Sequence, residues 1–201
     1  MAHGGPLNGY ALTIAKGLPT FMVRSEEKLA SVKGKRKITN KWVHLAGVLT
    51  KDKKMRLYVD GALVGEAMAP GLVAKTPVQG LQIGADAGTS VGEYATPFAF
   101  KGVVDEVRVY HRALNEQEMV KLADWGNEPK DKSLVLYSGF EKGKAIDDSG
   151  NKHLGKLSGV NIVRAKTGHA IHFSGRSTPG GGGPGVEHHW TQDIPILVRA
   201  M

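Results

Sequence analysis

Asp60-Gly61 is the strongest local constraint in this chain. A two-residue turn of this composition accepts positive φ at both positions, and its twist matches that of two antiparallel strands. The flanking residues agree with a hairpin. Met55-Arg56-Leu57-Tyr58-Val59 alternates, placing Met55, Leu57 and Val59 on one face, and Ala62-Leu63-Val64-Gly65-Glu66 returns. Residues 42–49 form an apolar β run that ends in the polar turn Lys51-Asp52-Lys53-Lys54. Upstream, residues 10–14 and 20–24 bracket Gly17-Leu18-Pro19 as a second hairpin, and downstream residues 81–84 and 102–110 read as further strands. The chain carries 27 glycines in 201 residues, enough tight-turn positions for a turn-rich β protein.

After Tyr110 the period changes. Asn115 is placed as a helix N-cap, Glu118 completes a capping box, and Leu114 and Met119 sit where a hydrophobic staple would pack. This predicts one short helix, ending near Leu122 or Trp125. Residues 126–132 read as a linker. A second run of strands follows at 134–137, 159–163 and 170–173. Gly180-Gly181-Gly182-Gly183 then reads as flexible chain, and residues 194–199 are one more strand candidate.

Composition removes several function classes. There is no cysteine, so disulfides, thiolate zinc sites and cysteine nucleophiles are absent. No apolar run approaches the ~18 residues of a membrane span, so membrane insertion is not expected. Residues 1–6 are not a charged stretch followed by an apolar one, so no leader peptide is visible. The net charge of +8 favours acidic partners without choosing among them. Its densest clusters are Lys33, Lys35, Arg36 and Lys37, and then Lys51, Lys53 and Lys54, all read as turn residues; solvated loop tips are the simpler reading of both. No nucleic-acid-binding motif accompanies the charge. No Gly-x-Ser-x-Gly elbow, P-loop or His-Glu-x-x-His occurs.

Four segments, in order, carry a resemblance. They are Trp42-Val43-His44-Leu45-Ala46, Leu57-Tyr58-Val59-Asp60-Gly61, Leu81-Gln82-Ile83-Gly84, and residues 100–114 around Val103-Val104-Asp105-Glu106-Val107-Arg108-Val109-Tyr110. Together they resemble the laminin-G-like, concanavalin A-like lectin/glucanase superfamily over about residues 8–122. The resemblance implies an all-β fold, an antiparallel two-sheet β-sandwich of jelly-roll type, with the short helix following the strand that ends at Tyr110. Residues 134–175 look like the strands with which such a domain begins, although here they come after its end. The expected organisation is therefore a laminin-G-like block over 1–122 and a linker over 123–133. Strands over 134–175 complete the same sandwich, and 176–201 hold a glycine-rich loop and a last strand or the lead-in to a further domain. Two arrangements remain open: one permuted sandwich, or the end of one sandwich and the start of the next. The first is favoured because residues 1–122 alone would expose sheet edges and half a core.

The resemblance implies a binding module with a polysaccharide or glycoconjugate as partner, an anionic one in view of the net charge of +8. It also implies an exported location and neighbouring domains within a larger protein. The alternative is a structural or protein-interaction module using the same fold. Catalysis is not expected. Sandwich glycanases of this superfamily carry Glu-x-Asp-x-Glu on one strand, a spacing absent here, and the adjacent Asp105 and Glu106 would point to opposite faces. Candidate ligand-binding residues are the aromatics Tyr94, Trp125 and Trp190, whose rings could stack on a pyranose if exposed, and the cations Lys35, Arg36 and Lys37. Residues 85–99 form the longest irregular stretch and the expected binding loop. Asp147, Asp148 and Asn151 offer oxygen ligands suited to a structural calcium ion (Ca2+), although such residues more often bond their own backbone in a turn. His188-His189 is read as a loop rather than a transition-metal site, and His44 as a packing histidine.

Overall fold

The computed structural model describes residues 1–73, 75, 77, 79–86, 88–96, 98–124, 132–165 and 168–175, together with the backbone of 185–188 and 196–200. The strands in chain order are β1 (Ala2–Gly4), β2 (Gly9–Ala15), β3 (Leu18–Ser25), β4 (Lys28–Lys33), β5 (Val43–Leu49), β6 (Lys54–Val59), β7 (Ala62–Met68), β8 (Leu81–Ile83) and β9 (Lys101–Tyr110). Helix α1 (Glu116–Ala123) follows, and then β10 (Leu134–Ser138), β11 (Gly155–Ser158), β12 (Asn161–Arg164), β13 (His169–Ser174), β14 (Gly185–His188) and β15 (Ile196–Ala200). All pairings are antiparallel. They make two sheets, in the orders β11-β14-β8-β1-β2-β3-β4 and β12-β13-β9-β15-β5-β6-β7, with β10 also on β9.

The turn chemistry read from the sequence sets the hairpins. Asp60 and Gly61 both take positive φ (50° and 79°), joining β6 to β7. Between β2 and β3 the positive-φ pair is Lys16 and Gly17 (53° and 81°), so the turn lies one residue earlier than read, and Leu18 and Pro19 are strand residues of β3. A third turn was hidden. Glu26 and Glu27 also sit at positive φ (48° and 69°) and connect β3 to β4, without the glycine or asparagine that would have marked it. Strand β4 consequently runs through Lys33, so Lys33 is a strand residue and only Lys35, Arg36 and Lys37 of its cluster lie in the following loop. The short strands β1, β11 and β14 were likewise not expected. His188 ends β14, in contrast to the loop read there, and the strand expected at 159–163 lies at Asn161–Arg164.

Alternation along each strand divides the apolar residues among three layers. Leu12, Phe21 and Val23 of the first sheet face Leu45, Leu57, Val107 and Leu136 of the second in the central core. Gly47 has no room for a side chain because a Cβ there would overlap the ring of Phe21. The outer face of the second sheet carries Ala46, Val48, Tyr58 and Tyr110, covered by Leu114, Met119 and Leu122 from α1 and its approach. The capping box starts that helix as expected, with Asn115 Oδ1 accepting from Glu118 N (3.0 Å) and Glu118 Oε2 from Asn115 N (2.8 Å). On the outer face of the first sheet, Ala2, Ala11 and Met22 lie under Val91.

β9 is the centre of the second sheet. Its first half pairs with β13, its second half with β10, and its other edge with β15. A register shift against β15 coincides with Glu106 at φ 57°, a β-bulge that lets Val104, Val107 and Val109 all reach the central core. The expectation that Asp105 and Glu106 simply alternate across a regular strand is thus corrected. β15 lies between β5 and β9, and β14 between β8 and β11. Strands from both ends of the chain are therefore interleaved.

Candidate binding cleft

The chain crosses from the first sheet to the second between β8 and β9, and this crossover opens a cleft of about 740 Å³. Gly84 makes the turn out of β8 at φ 85°, and a Cβ there would overlap the ring of Phe173. The two arms of the crossover then pair with each other. Phe100 N donates to Gly84 O (2.7 Å), Phe98 N to Asp86 O (3.1 Å), and Asp86 N to Phe98 O (3.3 Å). The opposite wall comes from β2 and from the loop after β4, where Ile38 N donates to Gly17 O (2.8 Å). Leu12, Leu45, Ile83 and Val104 form the floor. Thr39, Asn40, Asp86, Lys101 and His172 lie around the polar parts of the lining.

The mouth is cationic. Lys37 packs over Gly17, beside the exposed Lys16, and Lys101 is itself exposed on the lining. Lys35, Arg36 and Lys37 lead directly into Ile38, Thr39 and Asn40, which line the cleft. Lys41 follows, 3.9 Å from Asp60 in an exposed pair. Asp86 is the one carboxylate among the described residues of the lining, and it is buried. Burial pushes its carboxyl up, opposed by the Tyr94 hydroxyl, which donates to Oδ2 at 2.6 Å.

Lys51 and Lys53 belong to the β5–β6 turn at the far end of β5 from Lys37, and Lys54, read as a turn residue, is the first residue of β6. At ~3.4 Å per residue, the seven residues of β5 hold the two clusters roughly 20 Å apart. They do not form one patch. Tyr94 is half-buried, with its ring on Phe98 (4.7 Å between centroids) and its loop clamped by Arg24 Nε donating to Val91 O (2.6 Å). The 85–99 stretch is thus a cover on the first sheet, and Tyr94 presents no open ring face of the kind the sequence reading wanted. Trp125 and Trp190 lie outside the described residues.

The Asp147 turn is bonded to its own backbone. Asp147 Oδ1 accepts from Tyr137 N (3.1 Å) and Ser149 N (2.9 Å), and Oδ2 accepts from His153 N (3.1 Å) and lies 2.6 Å from His153 Nδ1. Burial pushes its carboxyl up, but these bonds outweigh it and hold the group below the usual carboxylate range. Asn151 turns its amide nitrogen inward to Leu134 O and Val135 O (3.1 and 2.9 Å), while Asp148 is exposed. Among the described residues, no group of three or more His, Asp or Glu side chains is placed to hold a metal ion.

A second cluster was missed by sequence reasoning. At the β9 bulge, Glu106 pairs with Arg108, whose guanidinium lies 4.4 Å from the Tyr137 ring centre, and Tyr137 donates to Glu106 Oε1 (2.9 Å). Asp105 is wholly buried. Its Oδ1 accepts from Glu106 N (2.8 Å), while Oδ2 finds no donor among the described residues. Burial, with Glu106 adding to it, pushes the Asp105 carboxyl up to about 7. Neither carboxylate lines the cleft.

Two antiparallel sheets packed face to face around one apolar core define a β-sandwich. The chain belongs to the Laminin_G_3 family of the concanavalin A-like lectin/glucanases superfamily, whose family model matches residues 2–119. That match runs from β1 into α1 and leaves β10 to β15 outside it. No curated protein and no solved structure matches the chain. Among the described residues, no helix is long and apolar enough to cross a membrane.

Proposed function

We propose that this chain is a non-catalytic carbohydrate-binding module that holds an anionic polysaccharide or glycoconjugate at the cationic mouth of the cleft. The observation that carries the reading is the continuity of the basic loop with the cleft wall: Lys35, Arg36 and Lys37 run without a break into Ile38, Thr39 and Asn40. Charges on a rim steer an acidic chain, and the neighbouring amide and hydroxyl groups supply hydrogen bonds for sugar hydroxyls. Non-catalysis is supported by the lining, whose described residues offer one buried carboxylate where glycoside hydrolysis uses two. The module would serve a larger exported protein whose other domains act on the captured glycan.

The test is chromatography on a heparin-type resin. Retention at low salt, lost well below ~0.5 M because such contacts are screened over ~8 Å at physiological salt, is the expected result. Neutralising Lys35, Arg36 and Lys37 together should reduce it. Equal retention on a plain cation exchanger would reduce the effect to generic charge. A second reading, a protein-interaction module, is favoured by the edge strand β7, which leaves Leu63 and Met68 exposed. Retention indifferent to the three substitutions would move attention there.

A further inference from the structure

We infer that the interior of the cleft is a binding site for a single acyl chain, so that, besides the acidic saccharide at its mouth, the cleft takes up an anionic amphiphile. The inference rests on the binding reading above and concerns a different part of the same cleft. The floor residues Leu12, Leu45, Ile83 and Val104 and the wall residue Ile38 all belong to the central core cluster, and Phe100 packs against it. The cleft is therefore a gap in the apolar core that opens to the surface. Native interiors are close-packed, and gaps much larger than a water molecule are few. At about 740 Å³ this one falls within the range of small-molecule sites.

The floor chemistry decides what fits. A saccharide pushed inward would leave its hydroxyls without partners among Leu, Ile and Val, at a cost for each buried polar group. Ordered water faces the same shortage, since it needs two to four polar partners. An unbranched hydrocarbon needs none. The cleft is also held open by backbone: the Gly84–Phe100 and Asp86–Phe98 bonds fix one wall and the Ile38–Gly17 bond the other. Closing it would break these. At the mouth, Lys37 and Lys101 offer charge to an anionic head, while Thr39 and Asn40 offer hydrogen bonds. An apolar slot beneath a cationic rim fits a carboxylate or an acidic saccharide carried on one alkyl chain.

The test is isothermal titration of the full chain with unbranched carboxylates from octanoate to dodecanoate, all below their micelle concentrations. Burying each added methylene should tighten binding about fourfold, levelling off when the slot is full. The neutral methyl ester should bind more weakly than the acid, and salt should narrow that difference. Ala99→Phe fills the slot from a half-buried position on the crossover. It should abolish dodecanoate binding while leaving the melting temperature and the heparin-type retention in place. Should Ala99→Phe lower the melting temperature instead, Phe100→Leu, which keeps an apolar wall but changes its shape, should shift the chain-length optimum. Affinity that does not rise with chain length, or that survives Ala99→Phe in a folded protein, overturns the acyl site. Loss of heparin-type retention alone would overturn the polysaccharide reading and leave the acyl site standing.

Discussion

Replacing Phe173 by alanine tests whether the two halves of the chain share one cooperative core. Phe173 lies on β13, in the block that follows the linker, and is wholly buried. Its ring centre is 6.2 Å from that of Phe100, edge to face, and it fills the space that Gly84 leaves empty. Both contacts are with the first block. Truncating a buried phenylalanine costs about 3–5 kcal/mol, since the neighbours relax only partly into the void. For a protein of this size each kcal/mol lowers the melting temperature by about 2–4 °C, so a drop of roughly 10 °C is expected. Circular dichroism should show one transition, moved down as a whole. Hydrogen exchange should quicken in β2 and β3 as well as in β13, because a shared core opens as a unit. Two separate transitions would refute the reasoning, as would lost protection confined to residues 132–175. The chain would then hold parts of two sandwiches instead of one permuted sandwich.

Gly84→Ala should be at least as damaging, because the added Cβ meets the Phe173 ring at a backbone angle that disfavours side chains; loss of soluble protein or a melt lowered by more than ~10 °C is expected. Asp105→Asn should stabilise the protein at pH 8. The folded carboxyl titrates near 7 against 3.8 unfolded, so its burial cost grows as pH rises from about 4 through 7 and is full above that, amounting to about 4 kcal/mol. Melts across pH 4 to 8 should therefore fall more steeply for the parent than for Asp105→Asn, and parallel curves would refute the assignment. Exhaustive chelation should leave the melting midpoint unchanged, because Asp147 already spends both oxygens on the chain's own donors. A lower midpoint would point to a stabilising calcium ion, through mass action on the native state.

Features encoded by neighbouring residues were the legible ones. The Asp60-Gly61 turn, the Asn115 capping box and the alternation of Met55, Leu57 and Val59 each occupy one short window, and each has a backbone or packing reason. β4 escaped because its turn uses Glu26 and Glu27, residues that rarely adopt positive φ and carry no turn signature. The short strands β1, β11 and β14 escaped because three or four residues show no periodicity. The basic half of the candidate site was visible as a charge cluster. Its apolar half was not: Leu12, Ile38, Leu45, Ile83 and Val104 each look like ordinary core residues. They come from β2, β5, β8, β9 and one loop, and only the crossover leaves a gap among them. Tyr94 misled because exposure belongs to the fold, and here its hydroxyl is tied to Asp86.

The position of β15 between β5 and β9 has a consequence for how the chain is made. A ribosome delivers β5 and β9 long before the strand that joins them. At about 5–20 residues per second, the 86 positions from Tyr110 to Ile196 leave the slot open for several seconds. During that time two central edges, each with unpaired amides and carbonyls, face the cell rather than each other. A nascent chain of this order cannot close its second sheet as it emerges. It passes through a half-built state whose open edges persist until residue 196 has emerged.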